Sequence, residues 1–190
     1  MVFGMNKKTT KRKSRQDWLE AAIGVLSSGR GFESVRVEVL ARTMKVTKGS
    51  FYWHFSSREA LLEAVVEAWR QQGTEAIIDA LNIGAQPARE RMRSLWSMAT
   101  EPGNLRVELA IREQARSDAA LREVVAQVDA RRMDTLRGIF GELGHSGQGL
   151  EARCMLAYSL LIGDHFIGAS HGPFKRSDVL LDALEVLLNS

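Results

Sequence analysis

The sequence predicts an all-α protein of about nine helices, a small N-terminal three-helix unit followed by a larger helical body. Three observations carry this. Apolar residues recur at i, i+3, i+4 and i+7 in segment after segment, the period of a helix with one buried face. Gly, Pro and capping Ser, Thr or Asn residues separate those segments, as start and stop signals do. Two short segments, Val37 to Thr43 and Thr47 to Phe55, are joined by only a few residues, the pattern of a helix-turn-helix.

The 190 residues are 45% hydrophobic and 26% charged, an ordinary globular composition with enough apolar mass for a core. The single cysteine, Cys154, excludes an internal disulfide framework, suits a reducing compartment and reads as a small buried hydrophobe. The first twenty residues lack the apolar stretch of a signal peptide, and no run approaches the ~18 apolar residues of a membrane span. A cytoplasmic location is therefore expected. Charge is divided unevenly: residues 1–60 hold 12 Lys+Arg against 5 Asp+Glu, and residues 61–190 hold 14 against 18. A front of +7 on a body of −4 suggests that the front meets an anionic partner. At this level nucleic acid and an anionic membrane surface both fit.

Residues 1–13 are basic, with almost nothing apolar after Met5, so a disordered arm is expected, either a solvated tail or a source of extra phosphate contacts. Ser14 with Asp17 resembles a capping box opening a helix whose stripe is Trp18, Ala22, Val25 and Leu26, stopped by Gly29 and Gly31. Val37, Leu40, Ala41 and Met44 give the second helix one apolar face. After a turn near Lys45-Val46, Thr47 is placed to cap a third helix. Phe51 and Phe55 share its buried face, while Lys48, Tyr52 and His54 point elsewhere and offer donors to phosphate. Ser56 and Glu59 form another capping box, opening a long helix to about Asn82, with Gly73 a candidate kink.

Arg15 through Leu62 resembles the N-terminal DNA-binding domain of TetR-type transcriptional regulators. The resemblance rests on Ala21-Ala22, Gly31-Phe32, Leu40-Ala41, the run Val46 to Phe55, and Ser57-Arg58-Glu59-Ala60-Leu61-Leu62. There are two departures: Lys45 stands at the usual turn glycine, and Arg36 at a frequent capping threonine. A turn that needs positive φ strains a lysine. The resemblance implies that Thr47, Lys48, Gly49 and Ser50 meet the major groove. It implies further that Tyr52, His54 and Arg58 hold backbone phosphates and that Phe51 and Phe55 anchor the helix. Arg36 and Thr43 become further contacts, and Trp53 either touches sugar or thymine methyl or packs.

In the body, Pro87 fits the first position of a helix to about Thr100. Pro102-Gly103 breaks it, Asn104 caps the next helix to Arg116, and Ser117 caps a long helix, Asp118 to Leu143. Gly144 to Gly149 reads as a loop. From Leu150 to Ser170 apolar residues cover nearly every side, and a helix of that kind must be buried all round. Ser177 caps a last, equally apolar helix to Leu188. A four-helix interface about a two-fold axis would cover these last two helices, in line with TetR-type dimers. The expected division is a basic arm 1–13, a helix-turn-helix DNA-binding domain 14–60, a connecting helix 61–82, and an effector-binding and dimerisation domain 83–190.

No phosphate-binding glycine loop, zinc-protease motif or paired Cys-x-x-Cys is present, and Asp164-His165 with His171 lacks metal-ligand spacing, so neither metal nor cofactor is expected. Asp164-His165 and Arg112-Glu113 lie in apolar surroundings, where charge needs a partner across a dimer or in a ligand cavity. Trp69, Met92, Trp96, Met98, Arg112, Met133, Phe140 and His165 are candidate pocket residues for a small apolar or aromatic effector. The function expected is a ligand-responsive homodimeric regulator, a repressor on palindromic double-stranded DNA rather than an activator of the same fold. A small all-helical enzyme with a basic surface lacks any nucleophile–base–orienter set. A membrane-surface binder would need an apolar face on the basic arm.

Overall fold

A computed structural model describes residues 13–83, 86–100 and 102–189. The helices are α1 (Arg15–Ser27), α2 (Val37–Met44), α3 (Lys48–Phe51), α4 (Arg58–Arg70), α5 (Ala76–Leu81), α6 (Ala88–Ala99), α7 (Pro102–Ala115), α8 (Ala119–Glu142), α9 (Gly147–Gly163) and α10 (Arg176–Asn189). Between α4 and α5 the chain stays helical through a π turn, Gln71–Glu75, so the two form one rod bulged at Gly73. With that rod counted once, nine helices and no strand are present among the described residues. The expected arm lies outside them, apart from Lys13.

The capping box at Ser14 is formed as expected. Ser14 Oγ accepts from the Asp17 amide at 3.2 Å, and the Ser14 amide donates to Asp17 Oδ2 at 2.7 Å. That backbone bond, reinforced by the Ser14 hydroxyl and the Lys13 ammonium, lowers the Asp17 carboxyl to about 2. Other starts differ from the sequence reading by a few residues. Ser57, not Ser56, caps α4 by accepting from the Ala60 amide, and Asp118, not Ser117, caps α8 by accepting from Leu121. Pro87 precedes α6 instead of opening it. Pro102 and Gly103 lie within the first turn of α7, where a missing amide hydrogen is tolerated. The loop to Gly149 is cut short because α9 begins at Gly147, and α10 begins at Arg176, ahead of Ser177. In each case two or three adjacent residues are able to start a helix, and tertiary packing selects among them.

Two cores organise these helices. In the first, Trp18 and Leu26 of α1, Leu40 of α2 and Phe51 of α3 pack with Val65 and Trp69 of the rod. Val107 and Ile111 of α7 and Leu121 and Val125 of α8 complete it. Apolar residues of the expected 14–60 and 83–190 segments are therefore buried together. The second core joins Met92 and Trp96 of α6, Leu136, Ile139 and Phe140 of α8, Cys154 and Ala157 of α9, and Leu184 and Leu188 of α10. The 24-residue α8 runs through both.

Helix α9, expected to be covered by a second copy, is only partly covered by its own chain. Within one chain only Cys154 and Ala157 of it are buried, and Met155 and Leu156 are 59% and 55% exposed. Leu181 and Val186 of α10 are likewise exposed. Among the described residues no helix is long and apolar enough to cross a membrane.

Candidate functional site

Helix α3 is short, and its position is fixed from below. Phe51 is fully buried and Phe55 nearly so; their rings stack at 5.6 Å, and Phe51 meets Trp18 edge-on at 5.2 Å. Because the anchors are four apart, the residues between and before them face outward. Thr47, Lys48, Gly49, Tyr52 and Trp53 are all exposed, Trp53 by 76%. The α2–α3 turn sets this orientation. Lys45 lies in the left-handed well at φ 57°, ψ 43°; its amide donates to the Arg42 carbonyl at 3.1 Å, and the Val46 amide to the Ala41 carbonyl at 2.9 Å. That bond pair is a Schellman closure, which normally has glycine at the left-handed position. Lys45 is the sole non-glycine residue with positive φ among the described residues.

The polar side chains expected to meet DNA are engaged to differing degrees. Lys48 makes an exposed ion pair with Glu38 of α2, which raises the lysine's pKa and lowers the glutamate's. The Thr47 side chain does not cap α3; instead the Ser50 hydroxyl donates to the Thr47 carbonyl at 2.8 Å. On α2 the exposed Thr43 hydroxyl donates to the Val39 carbonyl, and the exposed Arg36 reaches the Glu33 carbonyl at 3.3 Å. His54 Nε2 lies 2.8 Å from the Lys13 carbonyl, so its ring ties the start of α1 to α3. Arg58, expected as a phosphate clamp, is the most extensively bonded of these side chains within the chain. Its Nε donates to the Val35 carbonyl at 2.7 Å, its Nη2 to the Phe32 carbonyl at 2.5 Å, and Nη1 faces Glu59. The guanidinium locks the turn before α2 onto α4. Arg42 in the last turn of α2 and Lys45 on the turn after it are exposed and add positive charge; the sequence reading placed Lys45 but not Arg42.

Residues 19–65 match the family model described as bacterial regulatory proteins, tetR family. The chain carries a tetR-family N-terminal domain. Over 76 residues it is 37% identical to the nucleoid occlusion factor SlmA of Haemophilus ducreyi, covering 40% of this chain and 37% of that protein. With the SlmA of Glaesserella parasuis it shares 32% over 92 residues, 42% of this chain and 45% of the relative. The chain thus spans less than half the length of these curated relatives. Across the whole fold it is similar to a putative transcriptional regulator from Saccharomonospora viridis solved in complex with choline (TM-score 0.76, 17% identity, 92% of this chain and 94% of that one). It is also similar to the TetR family transcriptional regulator PfmR from Thermus thermophilus (TM-score 0.67, 20% identity, 90% and 96%). The tetR-type fold therefore extends through the body.

Behind this tetR-family head, a cavity of about 850 Å³, its open mouth included, lies between the rod, α6, α7, α8 and α9. Of the expected pocket residues, Trp69, Met92, Trp96 and Met98 line it. Four do not. Phe140 is enclosed in the second core, and Met133 packs against that core. His165 is exposed on the turn Asp164–Phe166, whose Asp164 is paired with Arg176 at 2.6 Å rather than across a dimer. Arg112 stands behind the wall, and the expected companion Glu113 is exposed beside Arg116.

The actual partner of Arg112 is Glu108, only 4% exposed. Glu108 Oε1 accepts from Arg112 Nε at 2.6 Å; Oε2 accepts from the Trp69 indole at 2.7 Å and from Arg132 Nη1 at 2.9 Å. Arg112 forks onto both oxygens of Asp129 and also reaches the Tyr158 hydroxyl, which donates to Asp129 at 2.6 Å. Arg132 holds the π turn, with Nε on the Thr74 hydroxyl at 3.0 Å and Nη2 on the Gly73 carbonyl at 3.1 Å. Burial opposes the charge on Arg112, but the Asp129 bond and the Glu108 field outweigh it and its pKa rises. Burial likewise pushes the Tyr158 hydroxyl well above the usual phenol range. The sequence pointed to Arg112 but not to Glu108, Asp129 or Arg132, which meet it only when α7, α8 and α9 are brought face to face.

Proposed function

We propose that the protein is a DNA-binding transcription regulator in the cytoplasm, a homodimeric repressor of a palindromic operator that a small apolar effector releases. The observation that carries the proposal is the outward face of α3, where Lys48, Gly49, Tyr52 and Trp53 are exposed above two buried phenylalanines. A short helix held in this way can enter a major groove and offer its N-terminal residues to base edges. The +7 balance of residues 1–60 supplies the phosphate attraction. Lys48 would exchange Glu38 for phosphate, and Tyr52 would donate to phosphate. We leave Arg58 out of the phosphate set, since its Nε and Nη2 already donate to the Val35 and Phe32 carbonyls.

The exposed apolar residues of α9 and α10 support dimerisation, since a second copy would cover Met155, Leu156 and Leu181. The cavity supports a ligand, and it touches the same rod whose N-terminus lies against the head. One structural neighbour was solved in complex with choline, which supports a small-molecule ligand for this fold but, choline being a cation, not the apolar character proposed here. An effector acts through its difference in affinity between the DNA-competent and released states.

Selection of genomic fragments retained by the purified protein, with salt titration, tests the proposal. Expected are a palindromic sequence and an affinity that falls steeply with salt. Tyr52→Phe is expected to weaken all sequences about equally. Retention that ignores salt, or a Leu156→Glu protein that still runs as a dimer, refutes the corresponding part.

A further inference from the structure

The cavity has one charged wall, Glu108 and Arg132 with Tyr158, backed by Arg112 and Asp129 behind it, and this cluster is electrically closed. Glu108 and Asp129 contribute two negative charges, and Arg112 and Arg132 two positive ones, for a sum of zero. Tyr158, its proton held by burial, adds none. Both carboxylate oxygens of Glu108 and all three guanidinium nitrogens of Arg132 are already hydrogen-bonded. The remaining wall is largely apolar, formed chiefly by Trp69, Ile77, Met92, Trp96, Leu136 and Leu161, with the neutral Thr74 and Thr135 beside them. The exposed Asn104 brings a neutral amide to the lining.

We infer that the cavity is a site for an uncharged, largely hydrophobic ligand with at most a neutral polar end, and that the Glu108–Arg132–Arg112–Asp129 cluster excludes ions of either sign. This deepens the effector reading above and rests on it. An ion entering the cavity loses its water and meets either hydrocarbon or groups already paired. To gain a partner it must break a bond of the cluster, which strands a buried charge elsewhere. A neutral ligand meets neither cost, and the apolar lining gives it a place to bury its hydrocarbon. The cluster is thus the determinant of specificity, and its sum of charges sets the sign of the ligand admitted.

Three probes with one chain length and different ends test this on the intact protein by titration calorimetry: decan-1-ol, decanoate and decyltrimethylammonium. Decanol is expected to bind one molecule per chain, at least about tenfold more tightly than either ion. Met98→Trp, which fills the cavity from its lining, should abolish decanol binding with helicity unchanged. Glu108→Gln leaves the cluster at +1 and should raise decanoate affinity relative to decanol. Arg132→Met leaves it at −1 and should favour decyltrimethylammonium. The inference is overturned if either ion matches decanol on the unaltered protein, a comparison that needs no variant to fold. It is also overturned if both variants fold and the ranking does not move. If none of the three probes binds, the cavity reading falls with it, whereas fragment retention judges the DNA-binding reading separately.

Discussion

Lys45 holds its backbone in a well that side chains bearing Cβ avoid, at a cost of about 1–2 kcal/mol. Lys45→Gly should therefore stabilise the protein by about 0.5–1 kcal/mol in urea denaturation, the relief of strain exceeding glycine's added chain entropy. A β-branched Lys45→Val should destabilise it. Arg58 makes two charge-assisted bonds to carbonyls, so Arg58→Ala should lower stability by about 2 kcal/mol. The salt slope of DNA retention should stay unchanged in that variant; a slope reduced by about one would return Arg58 to the phosphate set. Asp17 has a depressed pKa, so its capping contribution is full above the ordinary carboxylate value of 3.8 and is lost as pH falls through about 2. The Tm gap between the native protein and Asp17→Asn should accordingly be present at pH 6 and close over that acid window. At this scale the sequence carried the outward and inward sides of α3, because four-residue spacing is a local property. It could not show what Arg58 and His54 bind, since their partners are carbonyls of Phe32, Val35 and Lys13, and a carbonyl has no residue-type signature.

At the scale of elements, the helices and their order were legible from apolar period alone, while their first residues were not. Ser56-Ser57 and Ser117-Asp118 each offer two adjacent caps, and a shift of one residue leaves the apolar stripe nearly as well placed. Mutagenesis separates them. Ser57→Ala and Asp118→Ala should each cost about 1 kcal/mol by denaturant unfolding, and Ser56→Ala and Ser117→Ala much less. Equal losses within a pair would mean that the cap is shared. The glycine at residue 73 marked an irregularity in the rod, but its form as a π turn depends on Arg132, 59 residues further along. Such a bulge is maintained by a tertiary partner, and no window of the rod's own sequence contains it.

At the scale of the whole molecule, one apolar cluster binds the tetR-family head to α7 and the front of α8. Arg106 adds a bond to the Ser27 carbonyl at the end of α1. Ile111, fully buried in that cluster, offers a test: Ile111→Ala should cost about 3 kcal/mol. In native-state hydrogen exchange the amides of α1 should lose protection along with those of α7, although the substitution lies outside the head. Protection lost in α7 alone would show two independent units. Sequence composition drew a border near residue 60 because charge changes sign there; buried contacts do not respect it. This has a practical consequence for anyone wishing to exchange recognition modules between regulators. A chimaera cut at residue 82 would leave Trp18, Leu26 and Val65 without the surfaces of Val107, Ile111 and Leu121, and one cut at residue 60 would strip Trp18 and Leu26 of Val65 as well, so the portable cassette includes α7 and the start of α8.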